Sequence, residues 1–423
     1  MTAARKVLAI VANGPSPYRI HQHLRIAREL ANEVELWSIF LHEHNWQPWS
    51  SELPSEIQPV IFGQGKSLVG KNRGFGWLRE WRKAGQVIRW LREHQVDAVI
   101  TAGYNDPGLM RIIAWCRRAG VPNFLFGDSN IYGDRATGLR RWVKRRYVGW
   151  VLRRVTGLMP CGSYGEAYLQ AYGGAGKPCF YMPHEPDYGR IFSVTTEQVK
   201  ACRARHGLQQ DRRYFLYSGR LASVKRVDTL IDAFSCISGQ RAGWDLLIVG
   251  GGPLEAELRA RVPESLIARV KWTGFIDDPH ELAALYHCGD VFVLPSSYEP
   301  WAVVVAEAAA AGLPIVSSRV VGASGELCIG GVNGALFTPG DVDGLFAALL
   351  DVTANEHRLD LLSRGSLQVL DEWRRRGDPV QGVRRALAHI GLLDEPGPVE
   401  PAPPTPIAPT LQQSDVTRSE VRI

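Results

Sequence analysis

The sequence predicts an α/β protein of two doubly wound, Rossmann-like domains facing a central cleft. Three observations lead there. Short apolar runs alternate with amphipathic ones along the first 160 residues, the alternation restarts after residue 210, and the Pro/His/Gly-rich link Met182-Pro-His-Glu-Pro-Asp-Tyr-Gly189 falls between the two series.

In the first series, 7–11 reads as a buried strand, 13–17 as a turn, 19–30 as an amphipathic helix and 34–37 as the next strand. Strands at 96–101, 123–126 and 157–160 follow, with helices such as 109–118 between them. The second series gives strands at 214–218, 245–249, 270–273 and 291–294, and helices at 227–237, 254–261 and 282–286. Two such sheets turn the carboxyl ends of their strands to a shared cleft, where open α/β sheets bind ligands. Domains are expected at 1–185 and 186–375, a crossing helix at 376–393 and a disordered Pro-rich tail at 394–423, which has too little apolar material to offset its ordering entropy.

Composition narrows the class. A chain of 423 residues with 45% hydrophobic and 22% charged residues can form two cores. No apolar run reaches eighteen residues, and Met-Thr-Ala-Ala-Arg-Lys leads straight into the first strand, so neither a transmembrane helix nor a secretory signal is expected. Seven dispersed cysteines, with no metal-ligand spacing, point to reduced thiols in a cytosol. The histidines give no metal spacing either, and neither a metal nor another cofactor is expected.

The chemistry concentrates in Tyr298-Glu299-Pro-Trp-Ala-Val-Val-Val-Ala-Glu307-Ala-Ala-Ala-Ala-Gly312-Leu-Pro314. A loop at 296–300 leads into a helix at 301–311, ended by Gly312 and Pro314. Even fully helical, the segment separates Glu299 from Glu307 by about 12 Å, so the carboxylates do different jobs. The helix N-terminus suits a phosphate, and carboxylates accept from sugar hydroxyls. Upstream, Gly219-Arg220-Leu221-Ala-Ser-Val-Lys225 follows a strand end, where Arg220 offers a bidentate fork and Lys225 a point charge to a diphosphate.

These motifs resemble the glycosyltransferase group 1 family, also called family 4, with its Glu-x7-Glu and Gly-Arg-Leu-x-x-x-Lys motifs. The resemblance covers most of 5–390 and implies the GT-B fold, with a nucleotide-diphosphate sugar on the C-terminal domain and the acceptor on the N-terminal one. It implies that Glu299 meets donor-sugar hydroxyls, that Glu307 meets the ribose, and that Gly219, Arg220 and Lys225 hold the diphosphate without metal. Trp301 and Val303 at the helix start, Gly252 in the Val249-Gly-Gly-Gly-Pro253 turn and Phe275 near the base complete the implied donor site. Ala302 stands where the family usually has Gly, and Gly322-Ala323 where it commonly has Gly-Gly. Retention of anomeric configuration is implied, with the leaving phosphate as base.

In the first half, Gly14 is a candidate phosphate contact or a turn glycine. Asp128, after the strand at 123–126, is a candidate for the acceptor hydroxyl or a loop cap. Segment 135–154 carries eight basic residues and no acid, with Leu139, Trp142, Val143, Tyr147, Trp150 and Val151 on one helical stripe. It reads either as core-facing or as lying on an anionic membrane surface. No base-reading module accompanies the charge, so nucleic acid is not an expected partner. A nucleotide-sugar hydrolase or epimerase of the same fold is the rival activity. A dinucleotide oxidoreductase is disfavoured, since no Gly-x-Gly-x-x-Gly follows either first strand.

Overall fold

The computed structural model describes residues 5–43, 53–63 and 76–395. It contains two six-stranded sheets, both wholly parallel. The first runs β3-β2-β1-β4-β5-β6, with β1 Lys6–Ala12, β2 Val34–Phe40, β3 Pro59–Ile61, β4 Ala98–Ala102, β5 Asn123–Gly127 and β6 Gly157–Pro160. The second runs β12-β11-β10-β7-β8-β9, with β7 Arg213–Ser218, β8 Trp244–Val249, β9 Val270–Gly274, β10 Val291–Leu294, β11 Ile315–Ser318 and β12 Gly334–Phe337. Strands β3, β11 and β12 lie outside the expected set. They are edge or near-edge strands of three or four residues, too short for periodicity to reveal.

Helix α1 (Pro17–Glu29) covers one face of the first sheet, and α2 (Gly76–Glu93), α3 (Pro107–Ala119) and α4 (Gly138–Leu152) cover the other. The α1 face shares one continuous apolar core with the second domain, from Leu8, Ile10 and Ile26 through Met182 and Tyr188 to Phe215 and Val383. The terminal helix Pro379–His389 packs back on α1, with Arg384 paired to Glu33 just before β2 and Gly382 against the Tyr181 carbonyl. Arg25 on α1 bonds Glu185 at 2.5 Å and Asp378 at 2.8 Å, joining both places where the chain passes between domains. Except for 394–395, the expected disordered tail lies outside the described residues.

The basic segment divides along α4. Val148, Val151 and Leu152 are buried, and Tyr147 and Trp150 are half-buried. At the other end, Leu139 is 76% exposed, Trp142 58% and Val143 53%, so the core-facing reading holds only for the C-terminal half. Lys144 is occupied by Asp134 at 2.9 Å. Among the described residues, no helix is long and apolar enough to cross a membrane.

Candidate functional site

Strand order reverses between β1 and β4 in one sheet and between β7 and β10 in the other, and open α/β sheets bind ligands at such switch points. The loop after β7 carries Gly219, Arg220 and Lys225, and the loop after β10 carries Glu299. A cavity of about 660 Å³ opens there, lined by Tyr18, Gly219, Arg220, Lys225, Phe275 and Glu307, so residues of both domains bound it. The β7 and β8 loops lie directly on each other: Leu221 N–H donates to the Gly251 carbonyl at 3.0 Å, and a Cβ at Gly252 would stand 2.4 Å from the Leu221 oxygen. Gly252 therefore shapes the loop after β7 and is not itself among the cavity-lining residues.

The two glutamates occupy different electrostatic settings. Glu307, on the helix Val303–Ala310, is 6% exposed and accepts from Tyr286 Oη at 2.6 Å and from Tyr18 Oη, across the cleft, at 3.4 Å. Burial raises its pKa, while the two tyrosine hydroxyls oppose the rise. Glu299 is also buried, but accepts from Ser296 Oγ at 2.8 Å and pairs with Lys225 Nζ at 2.5 Å. Arg220 is exposed at the cavity and has no carboxylate within ion-pair distance among the described residues, so its charge is available to an anion.

On the first domain, the buried Gly14 turns its carbonyl to Arg19 Nη1 at 2.5 Å. Burial lowers the Arg19 pKa, and nearby Asp128 counters part of that. Asp128 is exposed just after β5, near Arg19, and is not among the residues that line the cavity. Its neighbour Asn130, which sequence reasoning passed over, is 1% exposed and clasps the domains together. Its Nδ2 donates to the Glu299 carbonyl at 2.7 Å, while its Oδ1 accepts from Tyr132 and Gly133 N–H groups. Asp128-Ser-Asn130 offers three polar residues in succession; only the fold shows which of them turns inward.

Trp301 and Val303 depart from a simple lining role. The Trp301 indole is buried, donates to the His184 carbonyl at 2.8 Å and packs at a tilt against Trp373, ring centroids 5.6 Å apart, so its side chain joins the domains. Val303 is buried at the first helical position, whereas Val304 reaches the cavity. Burial, with Arg19 adding to it, pushes the His184 pKa down to about 3, keeping the imidazole neutral. Glu326 accepts from Ser163 N–H at 2.7 Å and pairs with Arg376, a domain-joining role away from the cavity. Gly322 keeps the close approach expected of that loop, since a Cβ there would stand 2.0 Å from the Pro300 oxygen, and Ala323 N–H donates to the Trp301 carbonyl at 2.7 Å.

Ala302 delays the helix to Val303 instead of 301, because its backbone sits at φ 78° and ψ 83°. A side chain there is strained by about 1–3 kcal/mol, against about 0.5–1 kcal/mol of extra unfolded-state entropy for glycine. Ala302→Gly should therefore stabilise the protein by about 0.5–2 kcal/mol, read as a higher urea midpoint at unchanged m; a lower midpoint would refute the strain. Among the described residues, no group of three or more His, Cys, Asp or Glu side chains is arranged to hold a metal.

Residues 198–366 match the family described as "Glycosyl transferases group 1". A glycogen synthase of Mycobacterium tuberculosis is 36% identical over 196 residues, which span 45% of this chain and 45% of that protein. A GDP-mannose-dependent alpha-(1-6)-phosphatidylinositol monomannoside mannosyltransferase of Mycolicibacterium smegmatis is 30% identical over 315 residues, 71% of this chain and 79% of that protein. In three dimensions, the sucrose-phosphate synthase of Thermosynechococcus elongatus superposes with a TM-score of 0.71 at 19% identity, covering 92% of this chain and 100% of that one.

Proposed function

The chain belongs to the group 1 glycosyl transferases, and from that premise we propose that it transfers a sugar, with retention, from a nucleotide-diphosphate donor to a saccharide or lipid-linked acceptor in bacterial glycoconjugate synthesis. The observation that carries this reading is the convergence of Arg220, Lys225 and Glu307 on one cavity between the domains, at the strand-order reversal of the second sheet. Glu307 receives the ribose hydroxyls and Phe275 lies by the base. Arg220 and Lys225 neutralise the diphosphate, and Glu299, oriented by Lys225 and Ser296, receives hydroxyls of the transferred sugar. The acceptor oxygen bonds to the anomeric carbon as the bond to the diphosphate breaks, and the departing phosphate oxygen takes the acceptor's proton. Asp128 orients the acceptor hydroxyl from the first domain. In this reading the protein supplies charge and position, with no covalent nucleophile and no metal.

A thermal-shift panel of UDP, GDP and ADP with their common sugar conjugates tests it. At about 100 times its dissociation constant, a ligand adds about 2.7 kcal/mol, or roughly 5–10 °C for domains of this size. A shift confined to one nucleotide series supports the donor site, and no shift with any refutes it. Free sugar released without acceptor would favour the hydrolase reading.

A cytoplasmic membrane surface is the proposed setting for the acceptor. Leu139, Trp142 and Val143 are exposed among Arg140, Arg141, Arg145 and Arg146 at the N-terminal half of α4, and the M. smegmatis relative is named for a phosphatidylinositol mannoside acceptor. Each cation near an anionic lipid surface contributes about 1 kcal/mol. Serine at Arg140, Arg141, Arg145 and Arg146 should abolish sedimentation with phosphatidylserine vesicles while nucleotide binding persists; equal sedimentation would remove the membrane from the proposal.

A further inference from the structure

At the opposite end of the first sheet from the cleft, we propose, lies a second ligand site, a pocket for a small multivalent phosphate such as a sugar phosphate or pyrophosphate. The pocket encloses about 360 Å³ between the C-terminal ends of α3 and α4 and the starts of β5 and β6. That volume is at the low end for ligand pockets, which run from about 300 to 1,000 Å³. Arg117, Arg153, Arg154 and Lys177 line it, and no acidic residue does. No carboxylate lies within ion-pair distance of any of the four among the described residues.

The simplest alternative is that these cations serve the two helix ends. Two of them do so in part: Arg154 donates to the Trp150 carbonyl at 3.0 Å and Lys177 to the Val155 carbonyl at 2.7 Å. That uses one donor of the five on arginine and one of the three on lysine. Each helix C-terminus contributes roughly half a negative charge, so two ends offset about one of the four positive charges. About three stay uncompensated around one concavity. The strain is visible at Lys177, whose pKa is lowered first by burial and then by Arg117. Arg117 and Arg153 are exposed, and their side chains make no hydrogen bond among the described residues, so their forks are open to a ligand. Gly120 and Thr156 complete the wall, and the Thr156 hydroxyl accepts from Asn123 N–H at 3.1 Å.

The test separates this pocket from the cleft, where Arg220 and Lys225 would also take a diphosphate. Inorganic pyrophosphate is titrated calorimetrically, at fixed ionic strength, into the full chain carrying Arg220→Ala, Lys225→Ala and Glu299→Gln, the last so that no buried carboxylate is left without its counter-ion. The same titration follows with Arg117→Ser and Arg153→Ser added, two changes that remove no side-chain hydrogen bond among the described residues. The proposal expects saturable binding to the first protein and at least a tenfold weaker dissociation constant in the second. No binding to the first, or equal binding to both, would overturn it.

Discussion

Replacing Glu307 with alanine should cut the nucleotide-induced thermal shift by about half or more. The carboxylate is buried against Tyr286 and Tyr18, and a donor ribose would bond an acceptor group already held in one orientation. A hydrogen bond to a charged group contributes about 1.5–3 kcal/mol, so the expected loss in affinity is about 10- to 150-fold. Calorimetric titration of the nucleotide identified by the panel measures it, and unchanged affinity would end the ribose assignment. Glu307→Gln keeps the shape and an acceptor for Tyr286, and should fall between. The pH dependence has a definite sign. Burial raises the folded-state pKa, so the proton is held more tightly folded than unfolded and stability falls as pH rises through that interval. Ribose hydroxyls favour the ionised form, so affinity should rise over the same interval.

Lys225→Ala should have the second large effect, on turnover and on stability together. Lys225 faces the proposed diphosphate and also neutralises Glu299, which is 7% exposed. Loss of one preorganised charge at a leaving group lowers kcat by about 10²–10³, and a buried carboxylate left without its counter-ion costs about 3–5 kcal/mol. Adding Glu299→Gln should recover most of the stability and none of the rate. Urea unfolding and turnover of the same two proteins separate the roles; recovery of turnover in the double variant would show that Lys225 acts only through Glu299.

Much of this site is legible in the sequence because its residues are adjacent in the chain. Arg220 and Lys225 lie within one turn after a strand, and Glu307 sits at fixed spacing from a loop glutamate on an Ala-rich helix; local rules therefore place all three. The strands other than β3, β11 and β12 are legible for the same reason, as largely apolar runs. What local rules cannot supply is contact across the cleft. Asn130 bonds a carbonyl 169 residues away, and Trp301 donates its indole N–H to the His184 carbonyl, 117 residues back along the chain. The α4 stripe keeps one helical period throughout, yet half of it meets the core and half meets solvent, since periodicity gives a face without saying where its partner ends.

The Arg25 junction has a mechanical consequence. The chain crosses between domains twice, near Glu185 and near Asp378, and one guanidinium holds both crossings side by side. Two adjacent strands of covalent chain define an axis, so the freest relative motion of the domains is rotation about it. Across the cleft, Tyr18 to Glu307 is a single hydrogen bond, whereas Asn130 with the Glu299 carbonyl, Trp301 with the His184 carbonyl and Glu326 with Ser163 N–H would have to break for the domains to rotate far. Glu185 is the titrating member of the pivot, its pKa pushed up to about 7 by burial despite Arg25, so the axis itself gains or loses a charge near neutrality.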